Sequence, residues 1–169
     1  MNDDVRALVQ QVLEKGHIFS LATVDDGGPW VSDVVYVYDD DLCIYWLSME
    51  GTRHSRAILA NPAVAGTVTI STRSQMPNEA IQVEGTAEKI EGDIFPMAVK
   101  HLMKRGHAAP TREGEILEAK GQVWYKLTPK KFCLNYEPLY GRMLMCNLNA
   151  MSFRTAAIKR DPKCKVCGS

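Results

Sequence analysis

The 169-residue sequence lacks an excess of either charge, a long apolar run and a framework of paired cysteines. Basic and acidic residues number 20 each, so bulk charge does not favour binding to nucleic acid or to an anionic membrane. No apolar run approaches the roughly 18 residues of a membrane span, and the acidic, amphipathic start MNDDVRALVQQ is unlike a signal peptide. Five cysteines, an odd number, favour reduced thiols. We therefore expect a cytoplasmic globular protein with no membrane or nucleic-acid partner.

Alternation of apolar and polar residues predicts several short strands. An amphipathic helix over residues 3–15 precedes three strand-like segments, HIFSLATV, WVSDVVYVY and LCIYWLS, joined by acidic turns. A short helix, TRHSRAILA, ends before Asn61-Pro62, and later strands include a close-approach point at Gly66 and a bend at Gly85. Because closure removes exposed sheet edges, we predict a mainly β, α+β fold: an antiparallel split β-barrel of six to seven strands with flanking helices.

We assign residues 1–148 to this barrel domain and residues 149–169 to a C-terminal tail that carries the CKVC pair, Cys164 and Cys167. Two cysteines at this spacing can bind zinc, but a structural zinc site usually has four ligands and the chain has one such pair. Zinc would therefore need a pair from each of two protomers. A redox-labile tail without metal is the favoured interpretation.

The stretch SMEGTRHSRAILANP, residues 48–62, places basic residues at the start of a helix, where the helix dipole favours an anion. The hydroxyls of Ser48 and Thr52 and the free backbone amides would donate to that anion. Arg53 adds a planar charged fork, and His54 adds a donor that can gain a charge near an anion. The pattern indicates a phosphate site, and a surface helix capped by Thr52 with solvated basic side chains is the alternative.

The order of these segments resembles the pyridoxamine 5'-phosphate oxidase-like, FMN-binding split-barrel proteins. The resemblance lies in IYWLSMEGTRHSRAILANPAVAGTV, IQVEGTAEKIEGD and VWYKLTPKKFCLNYE, and it covers roughly residues 5–137. The detail TRHS looks most like a subgroup of small bacterial proteins with no assigned activity. The resemblance implies an FMN cofactor, a homodimer with its flavin sites at the subunit interface, and a small-molecule redox substrate.

The resemblance also implies cofactor-binding roles for ten residues. Four would hold the FMN phosphate, and three on the neighbouring strand would lie along the ribityl chain or the ring. One would offer its amide to the ring edge, and a tryptophan near the dimer interface would cover the ring of the partner's flavin. The four phosphate residues are Ser48, Thr52, Arg53 and His54, and the three residues of the neighbouring strand are Ser32, Asp33 and Val34. The amide belongs to Gln82, and the tryptophan is Trp124. Leu47 is the tenth residue.

The second strand departs from the family pattern, because it lacks the basic residue usual there for phosphate. It offers Ser32 and Asp33 instead, and Asp33 would repel a phosphate if it pointed towards it. We therefore expect weak FMN binding or a different flavin, such as a deazaflavin. From the residues alone, Gln82 can equally face water, and Trp124 can belong to the core or an interface.

We predict an FMN-dependent oxidoreductase of unknown substrate, in which no catalytic acid or base can be named. The alternatives are a non-catalytic flavin storage or sensor module, and a split barrel that binds haem, for which no histidine is obviously placed as an axial ligand. The homodimer could use aromatic strand residues that stack across an interface: Tyr36, Tyr45, Trp46, Trp124 and Tyr125. His101, on a helix with Lys100 and Lys104, is expected to face solvent.

Overall fold

The structure, a computed structural model, describes residues 3–70, 79–92, 94–109, 121–135, 142–147 and 152–157. The elements in these ranges are, in chain order, α1 (Asp3–Lys15), β1 (Ile18–Asp25), β2 (Gly28–Tyr38), β3 (Ile44–Met49), α2 (Arg53–Ala60), β4 (Ala63–Thr69), β5 (Ala80–Ile90), α3 (Phe95–Lys104), β6 (Gln122–Asn135), β7 (Arg142–Asn147) and β8 (Ser152–Ala157). Among the described helices, none has the length and apolar character needed to cross a bilayer.

Six antiparallel strands close into a barrel. The sheet order is β3-β2-β1-β4-β5-β6-β7-β8, and an additional pairing of β3 with β6 closes β1 to β6 on themselves. The predicted mainly β split barrel with flanking helices is confirmed. The register of β5 against β6 shifts between Glu84 and Gly85, so the predicted bend at Gly85 is a β-bulge.

Strands β7 and β8 extend the sheet beyond the barrel. β7 pairs with β6, and β8 pairs with β7, for example Cys146 opposite Phe153. The segment assigned to a tail from residue 149 therefore contains a strand, β8. Cys164 and Cys167 lie outside the described residues.

Large aromatic and aliphatic side chains fill the barrel. Trp46 of β3 stacks on Tyr125 of β6 with ring centroids 5.6 Å apart, and Phe19 packs against Trp46. All five aromatic residues expected to stack across an interface, Tyr36, Tyr45, Trp46, Trp124 and Tyr125, are instead buried within one protomer. That expectation is wrong because strand alternation directs them either into the barrel or beneath α3.

Helix α2 begins and ends where the sequence predicts. Thr52 is its N-cap, with an extended backbone and a side-chain oxygen that accepts from the Ser55 amide. Asn61 is the C-cap, and Pro62 prevents a further turn. The helix buries Ala57 and Ile58, which fixes its start against the end of the barrel.

Gly66→Ala should destabilise the barrel. A Cβ at Gly66 would meet the buried Phe19 ring and lie 2.6 Å from the Ser20 carbonyl oxygen. We expect the free energy of unfolding to fall by about 1–3 kcal/mol, as for other overpacked cores. Urea denaturation measures this change, and Gly51→Ala is the control because nothing lies within 4 Å of its added Cβ. Equal stabilities of the two variants would contradict the prediction.

Candidate functional site

Three hydroxyl groups surround the imidazole of His54, where β3 ends and α2 begins. The Nε2 atom lies 2.7 Å from Ser48 Oγ and 3.1 Å from Thr52 Oγ1, and Nδ1 lies 3.1 Å from Ser32 Oγ. His54 and Ser48 are each only 8% exposed. Both ring nitrogens therefore have partners within the protein, and the four side chains hold one another in place.

The local sequence explains why these hydroxyls meet. Along β2, Ser32 shares its face with Val34, and along β3, Ser48 shares its face with Trp46. Both of those apolar residues belong to the core, so the two serines continue the same interior faces. Thr52 joins them as the N-cap of α2.

Burial lowers the pKa of His54 below its usual value. The ring is therefore neutral near pH 7 and carries one N–H. In this arrangement His54 acts as a positioning residue for three hydroxyls.

The positive charge at the start of α2 comes from Arg53, which the turn between β1 and β2 holds. Its Nε donates to Asp25 Oδ2 at 2.7 Å, and its Nη2 donates to Asp25 Oδ1 at 2.7 Å. The Gly27 amide also donates to Asp25, at 2.9 Å. These contacts, chiefly the Arg53 hydrogen bonds, lower the pKa of Asp25 to about 2. The guanidinium carbon also lies 4.6 Å from the centroid of the Trp30 ring.

Sequence reasoning missed the role of Asp25. The segment DDGGP has the composition of a solvated turn, and Asp25 is 28 residues from Arg53 along the chain. No spacing rule connects two residues so far apart, and only the folded hairpin brings the carboxylate to the guanidinium.

A groove of about 630 Å³ opens beside this ion pair, and we call it the arginine groove. It combines two basic and two acidic side chains with small apolar ones. Its lining residues are Val24, Asp25, Asp26, Gly27, Arg53, Arg56, Ala57, Ala60 and Asn61.

A second group of predicted residues lies on the outer face of the sheet. Asp33, Ser20, Thr67 and Gln82 stand directly opposite one another on β2, β1, β4 and β5. Opposed residues on antiparallel strands share a face, so these four form one polar row. Ser20 Oγ donates to Asp33 Oδ1 at 2.6 Å, and the Gln82 side chain is exposed.

This polar row runs along a shallow groove of about 450 Å³, which we call the sheet groove. Its floor consists of the small residues Ser20, Ala22, Ala65 and Thr67. Lys131 and Glu84, 3.9 Å apart, form a charged rim. A floor of this kind is flat and mainly apolar, with a few fixed polar groups, which suits one face of a planar ligand.

The last two predicted residues, Leu47 and Trp124, lie opposite each other on β3 and β6 and pack beneath α3. Trp124 is 5% exposed, and the His101 ring meets it edge-on at 5.3 Å. His101 is itself buried, so the expectation that it faces solvent is wrong. Its helix packs that side against the sheet, and burial lowers the pKa of His101 to about 4.

The ten predicted residues therefore divide among three places. Six lie at or near the end of the barrel interior: Ser32, Val34, Ser48, Thr52, Arg53 and His54. Two, Asp33 and Gln82, belong to the outer polar row, and two, Leu47 and Trp124, lie beneath α3. Within the described ranges, no three His, Cys, Asp or Glu side chains are grouped so that they could hold a metal ion.

The closed six-stranded antiparallel barrel, with a short capped helix at one end, defines a split-barrel protein. The family model for pyridoxamine 5'-phosphate oxidase matches residues 5–132, and the chain belongs to that family.

Similar proteins cover most of the chain. A UPF0306 protein of Yersinia pseudotuberculosis is 28% identical over 125 residues, which span 70% of this chain and 85% of the relative. A heme binding protein from Mycobacterium smegmatis has a similar structure, with a TM-score of 0.67, 19% identity, and coverage of 86% of this chain and 59% of its own. An F420 reductase matches with a TM-score of 0.55, 23% identity, and coverage of 73% and 94%. At these identities, the structural likenesses show the fold alone.

Proposed function

We propose that the protein binds FMN on the outside of the barrel and acts as an FMN-dependent oxidoreductase on a small-molecule substrate. One observation carries the proposal: the sheet groove and the arginine groove meet along β1. Ala22 lines the first and Val24 lines the second, and these are consecutive outward residues of one strand. They are about 7 Å apart along the strand, which a five-carbon ribityl chain can span.

The sheet groove fits the flavin ring. Its small-residue floor accepts a flat aromatic surface, and the exposed Gln82 amide can donate to or accept from the polar ring edge. The Asp33 carboxylate accepts hydrogen bonds only. FMN, when bound, would supply the electron-transfer chemistry, and the chain would orient the ring and limit its contact with water.

The arginine groove fits the phosphate. Arg53 and Arg56 both line it, and Arg53 retains Nη1 for an incoming oxygen while Asp25 occupies Nε and Nη2. The start of α2 adds backbone amides and a favourable dipole. Asp25 and Asp26 oppose an anion in the same groove, which agrees with the expectation of weak binding.

A second copy of the chain would complete the site, because the sheet groove covers only one face of a ring. The β1 and β2 strands expose apolar side chains, two of them in the grooves themselves, that a partner could bury. They are Ile18, Val24, Trp30 and Val31, which are 39% to 61% exposed. We therefore include a homodimer in the proposal.

A deazaflavin is the second candidate, because it would present the same planar ring and phosphate-bearing chain to the two grooves. Haem has less support from the geometry. The described residues that line the sheet groove include no histidine, and Cys133 is their one thiol. A non-catalytic flavin store or sensor would use the same grooves and would differ in lacking turnover.

The first test is the visible absorption spectrum of purified protein, followed by titration with FMN. We expect flavin bands in the protein as isolated, or quenching of FMN fluorescence on addition of the protein. Turnover of bound FMN with a nicotinamide donor would separate an oxidoreductase from a store or sensor. A haem spectrum, or no binding of FMN, would contradict the proposal.

The second test concerns the phosphate. Arg53→Ala should weaken FMN binding about ten- to a hundredfold, as expected for a lost charge-assisted hydrogen bond. Asp25→Asn should strengthen binding several-fold, because it frees the guanidinium and removes a competing carboxylate. Asp26→Asn is the matched control: it removes an exposed acid from the same groove without freeing the guanidinium, so its gain in affinity should be smaller. Fluorescence titration gives the constants, and equal affinity for FMN and riboflavin in wild type would mean that no phosphate contact exists.

The third test concerns the ring. Ala65→Phe should abolish FMN binding, because the phenyl ring would occupy the floor of the sheet groove. Ala65→Ser, which keeps a small side chain in the floor of the groove, should bind FMN as wild type does. The same titration compares both variants, with circular dichroism to verify folding. Binding by Ala65→Phe at wild-type affinity would place the ring elsewhere.

A further inference from the structure

A pocket of about 370 Å³ lies between α1, β2 and α3. Glu14 of α1, Tyr38 of β2, and Lys100 and Lys104 of α3 line it. None of these residues lines the sheet groove or the arginine groove. Small-molecule sites have volumes of about 300–1,000 Å³, so this pocket has room for a small ligand that binds separately from the proposed cofactor.

Hydrogen bonds between the three elements hold the walls of the pocket in place. The Tyr38 hydroxyl donates to Glu14 Oε2 at 3.1 Å, which joins β2 to α1. Lys100 Nζ donates to the Tyr38 carbonyl oxygen at 3.2 Å, which joins α3 to the same strand. The buried Tyr36 hydroxyl donates to the Leu13 carbonyl oxygen at 2.7 Å. The polar groups of the pocket are therefore positioned before a ligand enters, which lowers the entropic cost of binding.

The positive charge deepest in this arrangement is the ammonium of Lys104. Its Nζ lies 3.8 Å from the centroid of the Tyr36 ring, a contact that favours the charged form. An ammonium has three N–H donors, and among the described residues Lys104 makes no hydrogen bond and no ion pair. Burial lowers the pKa of Lys104 to about 8, so the group is mainly charged at pH 7 but less solvated than an exposed lysine. A ligand carboxylate would supply an acceptor for it.

The opposite charge is the carboxylate of Glu14, which lines the same pocket and is exposed. Tyr38 occupies one acceptor position of this carboxylate, and the remaining positions are open to a ligand ammonium. Glu14 attracts Lys104 through space, yet within the described ranges no ion pair joins the two side chains. The two charges therefore share one cavity without pairing directly. Asp40 and Lys100 add one further charge of each sign.

We propose that this pocket binds a small α-amino acid with an apolar side chain. The ligand carboxylate accepts from Lys104, and the ligand ammonium donates to Glu14. Because two basic and two acidic side chains line the pocket, its charge complements a molecule that carries both signs better than a simple anion or cation. Val37 and the adaptable thioether of Met103, which also line the pocket, provide apolar contacts for the ligand side chain.

The test is isothermal titration of the full-length protein with L-leucine, isoamylamine and 4-methylpentanoate. The amine lacks the carboxylate of leucine, and the acid lacks its ammonium, while each keeps the rest of the carbon skeleton. We expect leucine to bind at least about tenfold more tightly than either analogue, because each analogue leaves one charge of the pocket unpaired. No binding of leucine at millimolar concentration, or equal binding of the three compounds, would overturn the proposal.

Two variants assign each charge of the ligand to its partner. Lys104→Met keeps an apolar chain over the Tyr36 ring and should remove the difference in affinity between leucine and isoamylamine. Glu14→Gln keeps an acceptor for Tyr38 and should largely remove the difference between leucine and 4-methylpentanoate. The matched control is Lys126→Met, because Lys126 lies over another tyrosine ring, 5.8 Å from its centroid and outside the pocket. Circular dichroism verifies folding. An unchanged difference in either pocket variant would contradict the proposal, as would loss of leucine binding in the control.

Discussion

The pairing of β3 with β6 is the constraint on which the arrangement of the site depends. It joins the two ends of a six-stranded sheet over the register Ile44–Met49 against Leu127–Gln122. Because β3 is fixed on both sides, Ser48 at its end has a defined position, and the short turn to Thr52 sets the start of α2. The hydrogen bond between Ser48 and His54 is therefore a consequence of closure, as is the stacking of Trp46 on Tyr125.

Closure also decides where a ligand can bind. Large buried side chains fill the interior of the barrel and make it a packed core. They include Phe19, Tyr36, Trp46 and Tyr125. The outer faces of β1 and β4 carry alanine, serine and threonine instead, and this makes a shallow groove in the sheet. A planar ligand therefore has room on the outside of the barrel, where the sheet groove can cover one of its faces.

The sequence predicted those features that depend on neighbouring residues. Strand alternation, Thr52 as a cap and Asn61-Pro62 as a helix end are local patterns, and the structure has all three. Features that depend on packing or register were missed. Two lysines near His101 suggested a solvated face, yet contact with β2 buries the ring. The polar row of Asp33, Ser20, Thr67 and Gln82 exists only once four strands adopt one register, which no single segment specifies.

Strand β2 lacks the basic residue usual there for phosphate, so the chemistry of the site depends on Arg53, which is paired with Asp25. With one arginine at the start of α2 and another, Arg56, a turn later, the free protein would carry two neighbouring cations without a counter-charge. Asp25 balances the first of them bidentately, and the Trp30 ring covers its guanidinium. An anionic ligand must then share or displace a carboxylate that is already well placed. In the proposed site, the pair that stabilises the hairpin would therefore limit the affinity for phosphate.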